Sequence, residues 1–269
     1  MSLILKSPDL ALLGENEITV DAIEFNGTSS FVSYPNNLFG GWGWSSTGMS
    51  NGDSKGITVS LWIKPAGFTS DTRNIVNHFK TSTSYGRENN YLRINYDASG
   101  NARFLFNQNQ DSGGNVVSVN SQYGDITVNS WNHVLLAIKM TMVSGSPVFE
   151  AKMRINDSNS GPSSTMGELV TNSPDNDGTT FLGKFDEGTP SGFYDGCLAE
   201  LWITDTYYDL DSESNRRRFI SSNNKPVQLP ASPLIYLNGS SSTWTNSGTY
   251  ALGTQTLTSI TNCADSPSD

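Results

Sequence analysis

Apolar residues recur at every second position in one segment after another, the period of a strand with one face turned to a core. In "GITVSLWIKP", Ile57, Val59, Leu61 and Ile63 fall on one face and Thr58, Ser60, Trp62 and Lys64 on the other. That pattern predicts a half-buried strand stopped by Pro65. "NYLRINYDASGNARFLFNQN" sets Leu92, Ile94 and Tyr96 on one face, turns at Asp97-Ala98-Ser99-Gly100 and resumes with Phe104 and Phe106, which reads as a hairpin. "SWNHVLLAIKM" is apolar on both faces, with Val134, Leu136, Ile138 and Met140 on one and Leu135 and Ala137 beside His133 on the other. Its strand is expected at the centre of a sheet, covered on both sides. "FEAKMRIND" alternates Phe149, Ala151, Met153 and Ile155 with Glu150, Lys152 and Arg154.

A period near 3.6 is credible only in "DLDSESNRRRFISSNN". Asp209, Asp211 and Glu213 at its start and Arg216, Arg217 and Arg218 near its end complement a helix dipole, with Phe219 and Ile220 to pin it down. The expected fold is therefore all-β: two antiparallel sheets packed face to face, a β-sandwich of jelly-roll type, with one short helix. Residues 1–19 read as an N-terminal arm and 20–225 as the sandwich. From residue 226 the composition shifts towards Ser and Thr with spaced prolines, and 226–269 reads as an appendage ending in a mobile tail.

Composition narrows the function classes. Only 16% of the 269 residues are charged and the formal net charge is -10, so the overall field repels nucleic acid and anionic membrane. The basic run Arg216 to Arg218 is too short to overturn that. Cys197 and Cys263 are too few for a disulfide framework; Cys197 sits among apolar residues and is expected as a buried thiol, and spacing alone leaves its pairing with Cys263 open. The first residues, "MSLILKSPDLALLGENE", lack the continuous apolar core of a secretory signal, and no segment is long enough to span a bilayer. The chain is expected to be released into the cytosol where it is made. The leucine-rich arm is expected to dock on its own sandwich or on a partner.

Four stretches taken in order resemble the laminin-G-like branch of the concanavalin A-like lectin/glucanase superfamily: "IEFNGTSSFVSY", "ITVSLWIKP", "SWNHVLLAI", and "FLGKF" followed by "FYDGCLAELWITDTYYDLDSE". The resemblance implies an opening strand pair around an Asn-Gly turn, a Trp-bearing core strand, a Trp-x-His-Val strand, and a closing strand with a short helix. The later stretch "PLIYLNGSSSTWTNSGT" is similar to tails of laminin-G-like proteins that tailed bacteriophages encode. It implies a virion surface protein, a capsid decoration or a tail or fibre part, whose partners are other virion proteins and copies of itself.

Candidate chemistry favours binding over turnover. Glucanases of the superfamily carry paired carboxylates at alternate positions of one strand, a motif this sequence lacks. Glu200 stands alone on its strand; His78 and His133 are far apart in sequence. No catalytic residue is assigned, and glycoside hydrolysis remains the least supported reading, behind a free lectin module. For glycan binding, Trp42 and Trp44 in the Gly-rich "LFGGWGWSSTGMSNGD", with Tyr85, Tyr123 and Tyr194, are the candidate aromatic faces. No cofactor is required; calcium, known in the superfamily, would draw on Asp175, Asp177, Asp186 and Glu187 in neighbouring acidic loops.

Overall fold

The structure, a computed structural model, describes residues 16–36, 38, 48–68, 71–82, 86–110, 114–166, 178–186 and 190–269. Its first strands are β1 (Ile23–Asn26), β2 (Phe31–Tyr34), β3 (Ser54–Pro65), β4 (Thr72–Ser82), β5 (Gly86–Tyr96), β6 (Ala102–Gln110) and β7 (Gly114–Asn120). Then come β8 (Asn132–Val143), β9 (Ser146–Ile155), β10 (Ser158–Asn159), β11 (Ser163–Met166), β12 (Thr179–Leu182), β13 (Phe185–Asp186), β14 (Pro190–Ser191) and β15 (Asp195–Thr204). The helix α1 (Glu213–Arg216) precedes β16 (Ile235–Asn238), β17 (Thr245–Asn246), β18 (Thr256–Thr258) and β19 (Thr261–Asn262).

Two antiparallel sheets hold these strands. The first runs β10-β9-β8-β3-β15-β1-β19, with β16 also paired to β15 and β17 to β16; the second runs β11-β7-β6-β5-β4-β12-β2-β18. The period-two positions close the core between them: Ile57, Val59, Leu61, Val134, Leu136 and Ile138 from one sheet meet Leu92, Ile94, Phe104, Phe106, Val117 and Val119 from the other. Burial of such side chains, about 1.5–3 kcal/mol each relative to exposure, is what holds the sheets together.

The half-buried strand expected at 56–65 runs from Ser54 to Pro65 and is in fact buried on both faces from Ile57 to Ile63. The chain after β15 folds back over the outside of the first sheet, where Leu210, Phe219 and Leu229 cover Trp202, Leu135 and Ala137. Ile220, with Val20 and Ala22, covers Trp62 and Ala199. The short helix belongs to this cover, and its arginines act as clamps: Arg216 Nε lies 2.6 Å and Arg217 Nη2 2.8 Å from the Asp157 carboxylate. Lys152 likewise grips Asp209 and Asp211, each at 2.7 Å. These carboxylates hold the Lys152 ammonium above its ordinary pKa, against the opposing pull of burial.

Two further expectations are corrected. The opening strands β1 and β2 are not partners of each other: β1 pairs β15 and β19 in the first sheet, β2 pairs β12 and β18 in the second. The Asn26-Gly27 stretch crosses between the layers, with Asn26 Oδ1 accepting the backbone N–H groups of Thr28, Ser29 and Ser30. Residues 226–269 are woven into both sheets rather than appended, through β16 on β15, β18 on β2 and β19 on β1. Their few apolar residues do the anchoring, since Ile235, Leu237, Trp244 and Leu252 are all buried in the core.

Cys197 is not a free thiol but is bonded to Cys263 across a separation of 66 residues, fastening this segment to β15. Next to it, Gly196 adopts φ +137°, and a Cβ there would sit 2.3 Å from the Lys64 carbonyl oxygen, so only glycine fits. The two ends of the described chain also meet: Val20 N–H donates to Ser268 Oγ at 2.9 Å, and Ser268 Oγ donates to the Ile18 carbonyl at 3.2 Å. Of the arm, residues 1–15 lie outside the described residues; Glu17 bridges Val227.

Candidate functional site

The alternation that sends Leu92, Ile94, Phe104, Phe106, Val117 and Val119 inward sends their neighbours to the outer face of the second sheet. Across β4 to β7 that face reads, row by row, Asn77-Tyr91-Asn107-Ser118, then Asn74-Arg93-Leu105-Asn120, then Thr72-Asn95-Arg103. Its composition is amide, hydroxyl, aromatic and guanidinium, with one leucine and no acid; the first row, Asn74 and Leu105 are buried, and Thr72, Arg93, Asn95, Arg103 and Asn120 are half-buried. Asn107 Nδ2 donates to Tyr91 Oη at 2.5 Å, fixing the ring at the centre of the first row.

Both guanidiniums lie over aromatic rings. Arg93 Cζ sits 4.2 Å from the Tyr91 ring centroid and Arg103 Cζ 4.4 Å from that of Tyr123. Registered diagonally on adjacent strands, the two cations feel each other. Burial lowers the Arg93 pKa first, Tyr91 and Tyr123 oppose that, and the charge of Arg103 lowers it further. Among the described residues neither arginine forms an ion pair, in contrast to Arg73, Arg154, Arg216 and Arg217. The Nε atoms of Arg93 and Arg103 and the Oδ1 atoms of Asn74, Asn95 and Asn120 are buried without hydrogen-bond partners. Orphaned polar atoms cost about 1–3 kcal/mol each, so their concentration on one face is a feature of that face.

Of the aromatic candidates, Tyr123 stands at the end of this surface, 44% exposed and stacked under Arg103. Tyr194 cannot serve as a ligand face: it is fully buried, packed edge-on to Phe25 at 5.7 Å, with its hydroxyl donating to the Cys197 carbonyl. Its place just before the Gly196 turn draws it into the core. Trp42, Trp44 and Tyr85 lie outside the described residues, as do Asp175, Asp177 and Glu187 of the calcium set. Asp186 stands on β13, opposite Pro190. Among the described residues no three His, Cys, Asp or Glu side chains cluster as a metal site would.

Glu200 belongs to the interior. Ala199 is registered with Trp62 and Trp202 with Ser60, so Glu200 and Leu201 form a bulge opposite Leu61, where Glu200 takes φ +49°. The side chain is 2% exposed; its Oε1 accepts the Tyr236 hydroxyl at 2.5 Å and its Oε2 has no partner. Burial pushes its pKa up to about 7, against the lowering effect of the Tyr236 hydrogen bond. His133, on β8, is also buried, paired through Nε2 with Ser60 Oγ at 2.8 Å and stacked on Trp62. Burial drives its pKa down to about 3, outweighing the opposing charge of Asp157. His78 lies on β4 in the other sheet.

Arg93, Arg103 and the asparagines around them escape a motif search. The signal was in the hairpin itself, since the residues alternating with Leu92, Ile94 and Phe104 include two arginines in an acidic chain.

The chain belongs to the concanavalin A-like lectin/glucanases superfamily, whose third laminin-G family model matches residues 39–211, well over half of it. No curated protein sequence matches it. Among solved structures it is similar to a heptameric SAP-like pentraxin from Limulus polyphemus, with 15% identity and a TM-score of 0.48 over 82% of this chain and 93% of that one. A Bacteroides ovatus protein described as carbohydrate-binding is similar at 11% identity and a TM-score of 0.48, over 92% of this chain and 61% of that one. The tailspike protein 2 of an Escherichia coli O157:H7 bacteriophage is similar at 14% identity and a TM-score of 0.40; 86% of this chain matches 31% of the tailspike.

Proposed function

We propose that this chain is a non-enzymatic glycan-binding domain displayed on a bacteriophage virion, as a capsid decoration or a tail or fibre component. The observation that carries glycan binding is the outer face of β4 to β7, where the half-buried Thr72, Arg93, Asn95, Arg103 and Asn120 and the exposed Tyr123 ring lie beside a buried row of amides. Sugars are held by such sets, ring faces stacking on their C–H surfaces and amides bridging their hydroxyl pairs. Glu200, the strand carboxylate nearest in kind to a glucanase acid, lies under Tyr236 and cannot reach a substrate. The Cys197–Cys263 disulfide suits a life outside the reducing cytosol, and virion surfaces are one such setting. The phage-like C-terminal stretch supports the same setting.

Two measurements test the two halves. A glycan array probed with the purified chain should give saturable binding to oligosaccharides, weakened at least tenfold in Asn95→Ala/Tyr123→Ala, an effect on the scale of a lost stacking face and amide. Mass spectrometry of purified particles should find the chain in stoichiometric amount; its absence from particles would remove the virion setting and leave a free lectin module.

A further inference from the structure

Resting on the glycan-binding reading, we infer that Arg93 and Arg103 make the outer face of the second sheet selective for an acidic oligosaccharide, one bearing carboxylate or sulfate. In a chain of net charge -10, with 26 acidic and 16 basic residues, cations are normally neutralised by neighbours. Lys64, Arg73, Lys152, Arg154, Arg216 and Arg217 all are, whereas Lys139 and Arg218, among the described residues, lie singly over the Tyr207 and Tyr208 rings. Arg93 and Arg103 are instead placed next to each other, and the described residues registered beside them, Asn74, Leu105, Asn120, Thr72 and Asn95, include no acid.

Each side chain is held by its ring, Arg93 on Tyr91 and Arg103 on Tyr123, so each fork is oriented before any ligand arrives. Their Nε atoms are buried without partners, and both arginines are half-buried rather than enclosed. A carboxylate or sulfate group entering between the forks takes up charge-assisted hydrogen bonds and relieves the repulsion between the two cations. The flanking amides and the exposed Tyr123 ring suit a sugar body attached to that anion, which distinguishes the site from a general anion hole. The acidic remainder of the molecule repels anions elsewhere, so binding is focused on this face.

The test uses the full chain on an array of neutral, sialylated, uronic-acid and sulfated oligosaccharides. The best acidic ligand is then titrated against its own carboxyl-reduced or desulfated counterpart. The expected result is at least tenfold tighter binding of the acid, weakening with added salt and lost in Arg93→Gln/Arg103→Gln. Arg93→Lys/Arg103→Lys, which keeps charge but not the fork, should recover part of the preference and serves as the folding control together with the thermal melt. Equal binding of acid and neutralised counterpart would overturn the arginine role while leaving glycan binding intact. No binding to any oligosaccharide would remove both. Equal binding of a poly-glutamate peptide would show that charge alone is read, and would also overturn the inference.

Discussion

Glu200 and His133 are buried on β15 and β8 of the same sheet, and their titrations push stability in opposite directions. Glu200, with a folded pKa near 7 against an ordinary 4.5, keeps its proton in the native state over the window where the unfolded chain has lost it. Stability from this group is therefore full below pH 4.5 and declines as pH rises through 7, by roughly 3 kcal/mol for a shift of that size. His133, held near 3 against 6.5, is neutral in the fold and charged in the unfolded chain between those values, so its contribution falls as pH drops below 6.5. The two slopes offset each other between pH 4.5 and 6.5, and the stability profile should peak there. Glu200→Gln keeps the Oε1 acceptor for Tyr236 and cannot ionise, so in urea melts it should remove the offset, leaving stability to rise with pH from 4.5 to 6.5 on the His133 slope and to stay level from 6.5 to 7. A profile unchanged between pH 4.5 and 7 would show that Glu200 ionises in the fold as it does in water. The bulge that creates this environment was not readable in the sequence, because it sits at a glutamate and not at the glycine that usually marks a left-handed position.

Strands with strict alternation were the legible elements. The period-two runs at 57–63, 92–106 and 134–140 all became core strands in the expected register of faces. What the pattern could not convey was long-range partnership: which sheet β1 and β2 would join, and that the chain after β15 would roof the first sheet. Short segments were the least legible. Strands β16 to β19 span two to four residues each, too few for a period, and they hide in Ser- and Thr-rich sequence. They are held by pairing with longer neighbours and by the Cys197–Cys263 bond. Closing a loop of 66 residues restricts the unfolded chain, and reduction should lower stability by about 2–4 kcal/mol. Urea unfolding of the Cys197→Ser/Cys263→Ser protein, beside the oxidised chain with and without reductant, measures this. Coincident curves would mean that strand pairing alone secures the segment.

At the scale of the molecule the division of labour follows the two layers. One sheet is roofed on its outside by α1 and its flanking loops, tied down by Asp157, Asp209 and Asp211. The other carries across β4 to β7 an outer face of polar rows, buried around Asn77, Tyr91 and Asn107 and half-buried around Arg93, Asn95 and Arg103. Fold class was legible from the sequence because a core of this kind writes its period along every long strand. The proposed binding face was not, because polar residues opposite a core are the default surface of any sheet, and only the structure shows which of their buried atoms lack partners among the described residues. Trp42 and Trp44 drew attention by type, whereas Arg93 and Arg103 stand out only by their neighbours.

The meeting of Ile18 and Val20 with Ser268 makes the described chain nearly a closed ring. Bridging residues 16 and 269 with a short flexible linker and cutting between Ser144 and Gly145, in the tight turn from β8 to β9, should give a circular permutant with the parent circular dichroism spectrum and a melting temperature within a few degrees. A molecule whose seam can be moved in this way can also be spliced as a cassette into a host protein's loop, entering and leaving at one point.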